Sequence, residues 1–155
     1  MDLSTWANIL LGIYALGLTT YTVIKSNRER KRQLSVNVST GWRPDFHDGS
    51  LGPQLLLITV TNPGNRKVTL NVPYLELPDG SSFLFPIPLT HVRFPYRLEE
   101  GENCAIWIEM NDVKGYLREK GYSRTVKLKG KVSDMTGKVY ISKKSWEFDT
   151  DKEYN

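Results

Sequence analysis

The stretch QLLLITVTN, residues 54–62, decides the fold of this 155-residue chain. It is a short, dense apolar run with β-branched residues, which is typical of a central strand. The run ends in NPGN, where Pro63 and Gly64 fit the middle of a tight turn. Extended patterning resumes at once in KVTLNVPYLEL, residues 67–77. This part of the chain therefore predicts a strand, a turn and a further strand.

Similar patterns lie on both sides of that stretch. QLSVNVST, residues 33–40, alternates apolar and polar side chains, as a half-buried strand does. CAIWIEM, residues 104–110, also alternates, and we expect its isoleucine face to be buried. Short strands with prolines at edges or bulges are predicted over 81–98, between the turns PDG (78–80) and EEGEN (99–103).

The last third of the chain combines a helix with two strands. NDVKGYLREKGY, residues 111–122, predicts a helix with Asn111 or Asp112 as N-cap and Gly121 just past its end. Strands SRTVKLKGKVSD and GKVYISKKSWEF are predicted around DMTG, residues 134–137, as a hairpin. The polar tail 150–155 is expected to be frayed.

About eight short strands, with turn signals roughly every ten residues, predict an all-β sandwich over residues 34–149. The unit TVTNPGNRKVTL, residues 59–70, followed by LEEGEN, residues 98–103, resembles the immunoglobulin-like modules of many prokaryotic surface and membrane proteins. The resemblance implies an immunoglobulin-like β-sandwich with one short helix. The chain lacks the paired cysteines of that pattern, because Cys104 is its single cysteine and excludes an intramolecular disulfide.

The N-terminal segment has a different character. From Leu3 to Ile24 there are 22 residues without a charged side chain. A helix of that length spans a hydrocarbon core of about 30 Å. A cleaved signal peptide would need a basic start and a small-residue cleavage site, whereas this segment begins with Asp2 and shows no A-x-A pattern. Residues 1–25 are therefore predicted to be a transmembrane anchor.

A basic cluster follows the apolar segment, with residues 26–33 predicted as a juxtamembrane linker. The cluster consists of Lys25, Arg28, Arg30, Lys31 and Arg32. Such residues stay on the cytoplasmic side, which predicts a single-pass protein of the cell membrane with its N-terminus outside and its C-terminal domain in the cytoplasm. Contact with anionic lipid is a second expected role of the cluster. Nucleic-acid binding is disfavoured, because residues 33–155 carry 16 basic against 15 acidic side chains, a net charge of only +1.

Small and polar residues recur at spacings of three and four within the apolar segment. This stripe consists of Asn8, Gly12, Ala15, Thr19 and Thr22. A face of this kind lets two helix backbones approach, and Asn8 can hydrogen-bond across the contact. The helix would then associate with itself or with another membrane protein. The alternative is a helix that faces lipid on all sides.

No constellation of residues predicts catalysis, a metal or a cofactor. His47 lies beside Asp45 and Asp48 in a turn-rich loop, but His91 is the only other histidine and is distant in sequence. We expect Cys104 to be a buried small residue and the acidic turn around Glu99 to be a solvated loop. No phosphate-binding glycine loop occurs.

Lysines alternate along one predicted strand and recur on its neighbour. These residues are Lys127, Lys129, Lys131, Lys143 and Lys144. The patch is typical of a solvated sheet face or a charged edge, and it is also a candidate site for an acidic partner, an anionic ligand or the membrane surface.

Together these features predict a membrane-anchored adaptor whose cytoplasmic β-sandwich binds a protein partner and performs no reaction itself. The alternative is a membrane effector, in which the β domain binds a small anionic ligand or signal nucleotide and drives the spanning helices to cluster. A hydrolase has no supporting residues.

Overall fold

The computed structural model describes residues 3–30, 33–44, 51–85 and 88–154. Two helices lie in these ranges, α1 (Leu3–Arg30) and α2 (Met110–Glu119). The strands are β1 (Ser35–Pro44), β2 (Leu51–Thr61), β3 (Val68–Leu70), β4 (Tyr74–Glu76), β5 (Ser82–Phe83), β6 (Leu89–Thr90), β7 (Tyr96–Leu98), β8 (Asn103–Glu109), β9 (Thr125–Ser133), β10 (Val139–Ile141) and β11 (Trp146–Asp149).

The strands form two main antiparallel sheets. The first sheet has the order β1-β2-β8-β6. In the second sheet β10 and β11 lie one after the other along one side of β9, and β4 and then β5 lie on its other side. β3 and β7 form a separate pair. This arrangement confirms the prediction of a mostly β, sandwich-like fold.

Alternate residues of the two sheets form a shared core. In the first sheet Val36 pairs with Val60, and Ile58 pairs with Ile106, and all four side chains are buried. From the second sheet the core receives further buried aliphatic and aromatic side chains: Leu75, Val126, Leu128, Val132 and Phe148. The expectation that the isoleucine face of β8 is buried is confirmed.

Two segments predicted as single strands are each divided between two strands. Residues 67–77 form β3 and β4, which belong to different sheets, and Pro73 lies between them without an N–H to donate. The segment 137–148 contributes to β10 and β11, and residues 142–145 separate the two strands. At this interruption the Ser142 hydroxyl accepts a hydrogen bond from the Gly130 N–H (3.1 Å), so the backbone of β9 stays satisfied.

The predicted turns are present. In NPGN the Asn62 side-chain oxygen accepts a hydrogen bond from the Gly64 N–H (3.1 Å). The turn after β9 requires a positive φ at Gly137 (83°), which only glycine adopts without strain.

The start of α2 differs from its prediction. Its N-cap is Glu109, which makes no side-chain capping bond, and neither Asn111 nor Asp112 serves as cap. The Asn111 amide instead donates to the Tyr154 carbonyl (2.9 Å). At the other end Gly121 follows the helix with φ 83°, as predicted.

The C-terminal tail was expected to be frayed, and this expectation is wrong for the described residues. Thr150 and Tyr154 are buried, and the Thr150 N–H donates to the Arg124 carbonyl (2.9 Å). Tyr154 packs against Phe148 of β11, with 5.0 Å between ring centroids. Two buried side chains in a polar segment are enough to bind the tail to the sandwich.

α1 is longer than predicted, because the helix continues to Arg30 through part of the expected linker 26–33. Every side chain described between Trp6 and Lys25 is exposed. Within the described ranges, no helix combines the length and apolar character needed to cross a membrane. The predicted transmembrane anchor is therefore not confirmed.

Candidate binding surfaces

The outer face of the first sheet carries an apolar row across its strands. Leu57 of β2 lies opposite Trp107 of β8, and Trp107 lies opposite Leu89 of β6. These side chains point away from the sandwich core, because they alternate with the buried Leu56 and Ile106. The row places three large apolar side chains on the outer surface of this sheet.

Two cavities lie side by side along this row. The first, of about 410 Å³, is lined by Trp42, Arg43, Leu55, Leu89, Thr90 and Trp107. The second, of about 430 Å³, shares Arg43, Leu89 and Trp107 and extends past Phe83 and Phe85 to Tyr116 of α2. Both volumes are in the range of small ligand or side-chain sites. We call the two together the aromatic groove.

Charged side chains border the aromatic groove on one side. Arg43 forms an ion pair with Glu109 at 3.7 Å, and Asp112 lies on the first turn of α2. This border of the groove therefore carries two carboxylates and one guanidinium group. Trp42 and Leu89 expose 47% and 43% of their surfaces, so the groove is open to solvent.

The aromatic groove was not predicted from the sequence. The alternation of CAIWIEM indicated that Trp107 and Glu109 share the face opposite the isoleucines. Trp42 and Leu89 gave no signal, because they come to the groove from separate strands whose order in the sheet is not readable from the sequence.

The predicted lysine patch is partly assembled. Lys127, Lys129 and Lys131 do alternate along the outer face of β9. Glu76 of β4 contacts Lys131 in an ion pair, and Glu147 of β11 lies 3.7 Å from Lys127. The side chains of Lys131 and Glu76 are only 17% and 23% exposed, so acidic groups neutralise much of this face.

Lys143 and Lys144 lie elsewhere than predicted. They are exposed in the 142–145 connection between β10 and β11, and not on a strand beside β9. A cavity of about 440 Å³ does lie beside Lys127 and Lys129, and Glu76 and Ser145 line it as well. The surface thus has mixed charge.

The stripe on α1 keeps its predicted spacing in the helix. The Thr19 hydroxyl donates to the Ala15 carbonyl (2.7 Å), and the Thr22 hydroxyl donates to the Thr19 carbonyl (2.8 Å). An added Cβ at Gly12 would meet no atom within 4 Å. The stripe therefore has open space at Gly12, and its Thr19 and Thr22 hydroxyl groups form their hydrogen bonds within the helix.

Part of the basic cluster lies within the described residues. Lys25 is exposed on α1. Arg28 and Arg30 belong to the last turns of the same helix. Lys31 and Arg32 lie outside the described residues.

Of the residues considered for catalysis, His91 and Cys104 lie in the described ranges. His47, Asp45 and Asp48 lie outside the described residues. His91 packs on Trp107, with 5.5 Å between ring centroids. Burial, together with the nearby Glu102, raises the pKa of the Cys104 thiol to about 11, so this thiol stays protonated at neutral pH. In the described ranges, no group of three or more His, Cys, Asp or Glu side chains could hold a metal ion.

The acidic turn stabilises the chain reversal before β8. Glu99 pairs with Lys67 at 3.0 Å and with Arg97 at 3.6 Å. The Glu102 carboxylate accepts a hydrogen bond from the Glu99 N–H (2.9 Å). The contacts of Glu99 and Glu102 thus hold the turn together.

No family model matches the sequence, and no curated protein or solved structure shows a significant similarity to the chain. The described residues form a β-rich domain with two main sheets, which follows an N-terminal helix. Its function is therefore inferred from the chain itself.

Proposed function

We propose that this chain is a membrane-anchored binding protein with no catalysis of its own. α1 holds it in the cell membrane as a single pass, with the N-terminus outside. The β domain, an immunoglobulin-like sandwich, lies in the cytoplasm and binds a protein partner through the aromatic groove. The observation that carries this proposal is the exposed apolar surface of α1.

Most of the exposed large apolar side chains among the described residues lie on α1. Ten large apolar or aromatic side chains on α1 are between 47% and 71% exposed. They are Trp6, Leu10, Leu11, Ile13, Tyr14, Leu16, Leu18, Tyr21, Val23 and Ile24. Burying apolar area is favourable by about 25 cal/mol per Å². A helix that is apolar around most of its circumference is normally buried in a protein or a membrane.

The threonines of α1 support a lipid environment. Their hydroxyls would lack partners in hydrocarbon if they pointed outward, which is costly. In α1 the hydroxyls of Thr19, Thr20 and Thr22 all donate to carbonyls of the same helix, at 2.7 to 2.8 Å. Entry into a membrane therefore leaves none of these three hydroxyls unsatisfied.

Length and charge also support the single-pass form. The 22 uncharged residues from Leu3 to Ile24 extend ~33 Å as a helix, about the thickness of a hydrocarbon core. The basic residues begin at Lys25, which favours a cytoplasmic position for everything that follows. Against this stands the finding that no helix of the described residues qualifies as a membrane span. Insertion is therefore the first point that an experiment must test.

The chemistry of the aromatic groove defines the partner that it would accept. Its floor is aromatic and aliphatic, so it suits apolar or aromatic side chains. Glu109 and Asp112 outnumber Arg43 at its border, so a basic side chain next to those apolar groups would complement it. We propose a protein segment of this composition as the partner.

Photo-crosslinking in intact cells tests this assignment. A photoreactive residue in place of Leu89 in the full chain should give a discrete adduct with a partner protein. The same residue at Ile141, which is similarly exposed on the second sheet, should not. Trp107→Ala should remove the Leu89 adduct, because the groove loses its largest side chain. Equal adducts at both sites, or none at Leu89, would contradict the groove as the binding site.

The anionic-ligand effector is a second candidate, favoured by the cavity beside Lys127 and Lys129. The acidic side chains of Glu76 and Glu147 in the same face weaken it. Titrating the full chain in detergent with nucleotides distinguishes the two candidates. Saturable binding that Lys129→Gln removes would favour the effector.

A further inference from the structure

β1 forms one edge of the first sheet and is long for an edge strand. Nine of its ten residues pair with β2, and no other described strand pairs with β1. On the side of β1 away from β2, every second residue therefore presents a backbone N–H and a backbone C=O. No described strand forms hydrogen bonds with these groups. A row of such groups is a template for another extended strand.

The other edges of the two sheets are short or charged. β5 and β6 have only two residues each. β10 has three residues and is followed closely by Lys143 and Lys144, while β11 carries Glu147 and Asp149. Natural proteins protect their edges in these ways against pairing with another chain. β1 has no charged residue between Ser35 and Trp42, and its bulge comes only after Trp42.

We propose that β1 pairs antiparallel with β1 of a second copy of this chain, which joins the two first sheets into one continuous sheet. Another extended backbone complements the whole row of N–H and C=O groups on an open edge. In an antiparallel pair of identical strands, the residues before the two-fold axis face the residues after it. Side chains of one charge sign along the strand would therefore face like charges, which is destabilising. An uncharged strand avoids that penalty, which favours a second copy as the occupant.

Symmetry determines which side chains meet. Two antiparallel copies are related by a two-fold axis perpendicular to the sheet, so outer faces stay on the same side. Asn37, Ser39 and Gly41 share the outer face of β1, because they pair with Thr59, Leu57 and Leu55. In the dimer, outer-face residues of one copy would therefore lie opposite outer-face residues of the other. β8 and β6 remain away from this contact.

Amide hydrogen exchange of the full chain in detergent micelles tests the proposal at β1 itself. Exchange is compared at low and high protein-to-detergent ratio. At the high ratio, about half of the amides between Ser35 and Trp42 should exchange about tenfold more slowly, because outward N–H groups gain partners. Amides of β8 serve as an internal reference, since they are paired at both ratios. Exchange of β1 that does not depend on the ratio would overturn the proposal.

Charge variants identify the contact. Asn37→Lys with Ser39→Lys should remove the ratio dependence, and Asn37→Asp with Ser39→Asp should do the same. An equal mixture of the two variants should restore it, because opposite charges then face each other. Val139→Lys with Ile141→Lys, at exposed positions of β10, is the matched control and should leave β1 unchanged. Ratio dependence that survives both charge variants would contradict pairing through β1.

Discussion

Gly130 of β9 in the second sheet lies directly against Val38 of β1 in the first sheet. A Cβ built at Gly130 would come within 2.7 Å of the Val38 Cγ2 atom and within 3.2 Å of the Val36 Cγ1 atom. Two branched side chains from the first sheet thus occupy the space that any larger residue at 130 would need.

Gly130→Ala should therefore lower the free energy of unfolding by about 1–3 kcal/mol, the usual cost of overpacking a core. Chemical denaturation monitored by tryptophan fluorescence measures this change in the free energy of unfolding. Gly115→Ala is the control, because a Cβ at this α2 position meets nothing within 4 Å. That variant should be neutral or stabilising by up to about 1 kcal/mol. If Gly130→Ala leaves the free energy of unfolding unchanged, the close packing of the two sheets at Gly130 is contradicted.

The stripe on α1 predicts a face-specific effect on helix association. Gly12→Leu should weaken association of the full chain in detergent, because a large side chain separates the backbones. Gly17→Leu is the matched control: it lies about 140° away around the helix, and a Cβ there also meets nothing within 4 Å. Crosslinking yield between α1 helices measures the difference. If both variants behave alike, the stripe is not an association surface.

Asp134 predicts a specific loss of stability in acid. Burial pushes the pKa of Asp134 upward, but hydrogen bonds from Thr136, Lys138 and Tyr140 outweigh it and hold the pKa below its usual value. A carboxyl group with a lowered folded-state pKa contributes stability that is present above the unfolded-state pKa and is lost as the pH falls through the folded-state pKa. The wild-type chain should therefore keep this contribution from pH 7 to about 4 and lose it below that pH.

Asp134→Asn isolates the effect. At pH 7 the variant should be less stable by about 1–3 kcal/mol, since an amide accepts the converging hydrogen bonds poorly. The difference should shrink at acid pH, when wild-type Asp134 becomes protonated. Glu100→Gln, at an exposed position, should show little difference at any pH. A pH-independent difference for Asp134→Asn would exclude the carboxylate charge as the cause.

The β domain should fold without α1. The described core runs from Val36 to Tyr154 and includes no residue of α1. Residues 33–155 expressed alone should be soluble, give a mainly β circular dichroism spectrum and unfold in one cooperative transition. A mainly helical spectrum, or loss of cooperativity relative to the full chain, would contradict the separation.

The strands of the core were predictable because their signals are local. The alternation in β8 and β9 and the turn residues at 62–65 and 134–137 are fixed by neighbours in sequence. The division of 67–77 between two sheets was not predictable, because it depends on the distant strands with which β3 and β4 pair. The tail was missed for a similar reason: Tyr154 is held by Phe148 and Asn111, and single anchoring residues leave no periodic pattern.

The candidate sites divide in the same way. Alternation predicted the lysines of β9, but the acidic residues that neutralise them come from β4 and β11 and required knowledge of strand order. The aromatic groove depends on Trp42, Trp107 and Leu89 from three strands. No spacing along the chain brings such residues together before the sheet is assembled.

Membrane insertion by α1 is tested most directly on isolated membranes from cells that produce the full chain with a tag after Asn155. If α1 spans the membrane, the protein should stay in the pellet after alkaline carbonate extraction. In sealed cells the tag should resist external protease, and permeabilised cells should lose it. Replacing Leu11 and Leu16 by Lys should release the protein from the pellet, since a charge at the centre of a span costs about 2.5–3.5 kcal/mol per residue. Release of the unmodified chain by carbonate would contradict insertion, and cleavage of the tag in sealed cells would contradict the cytoplasmic position of the β domain.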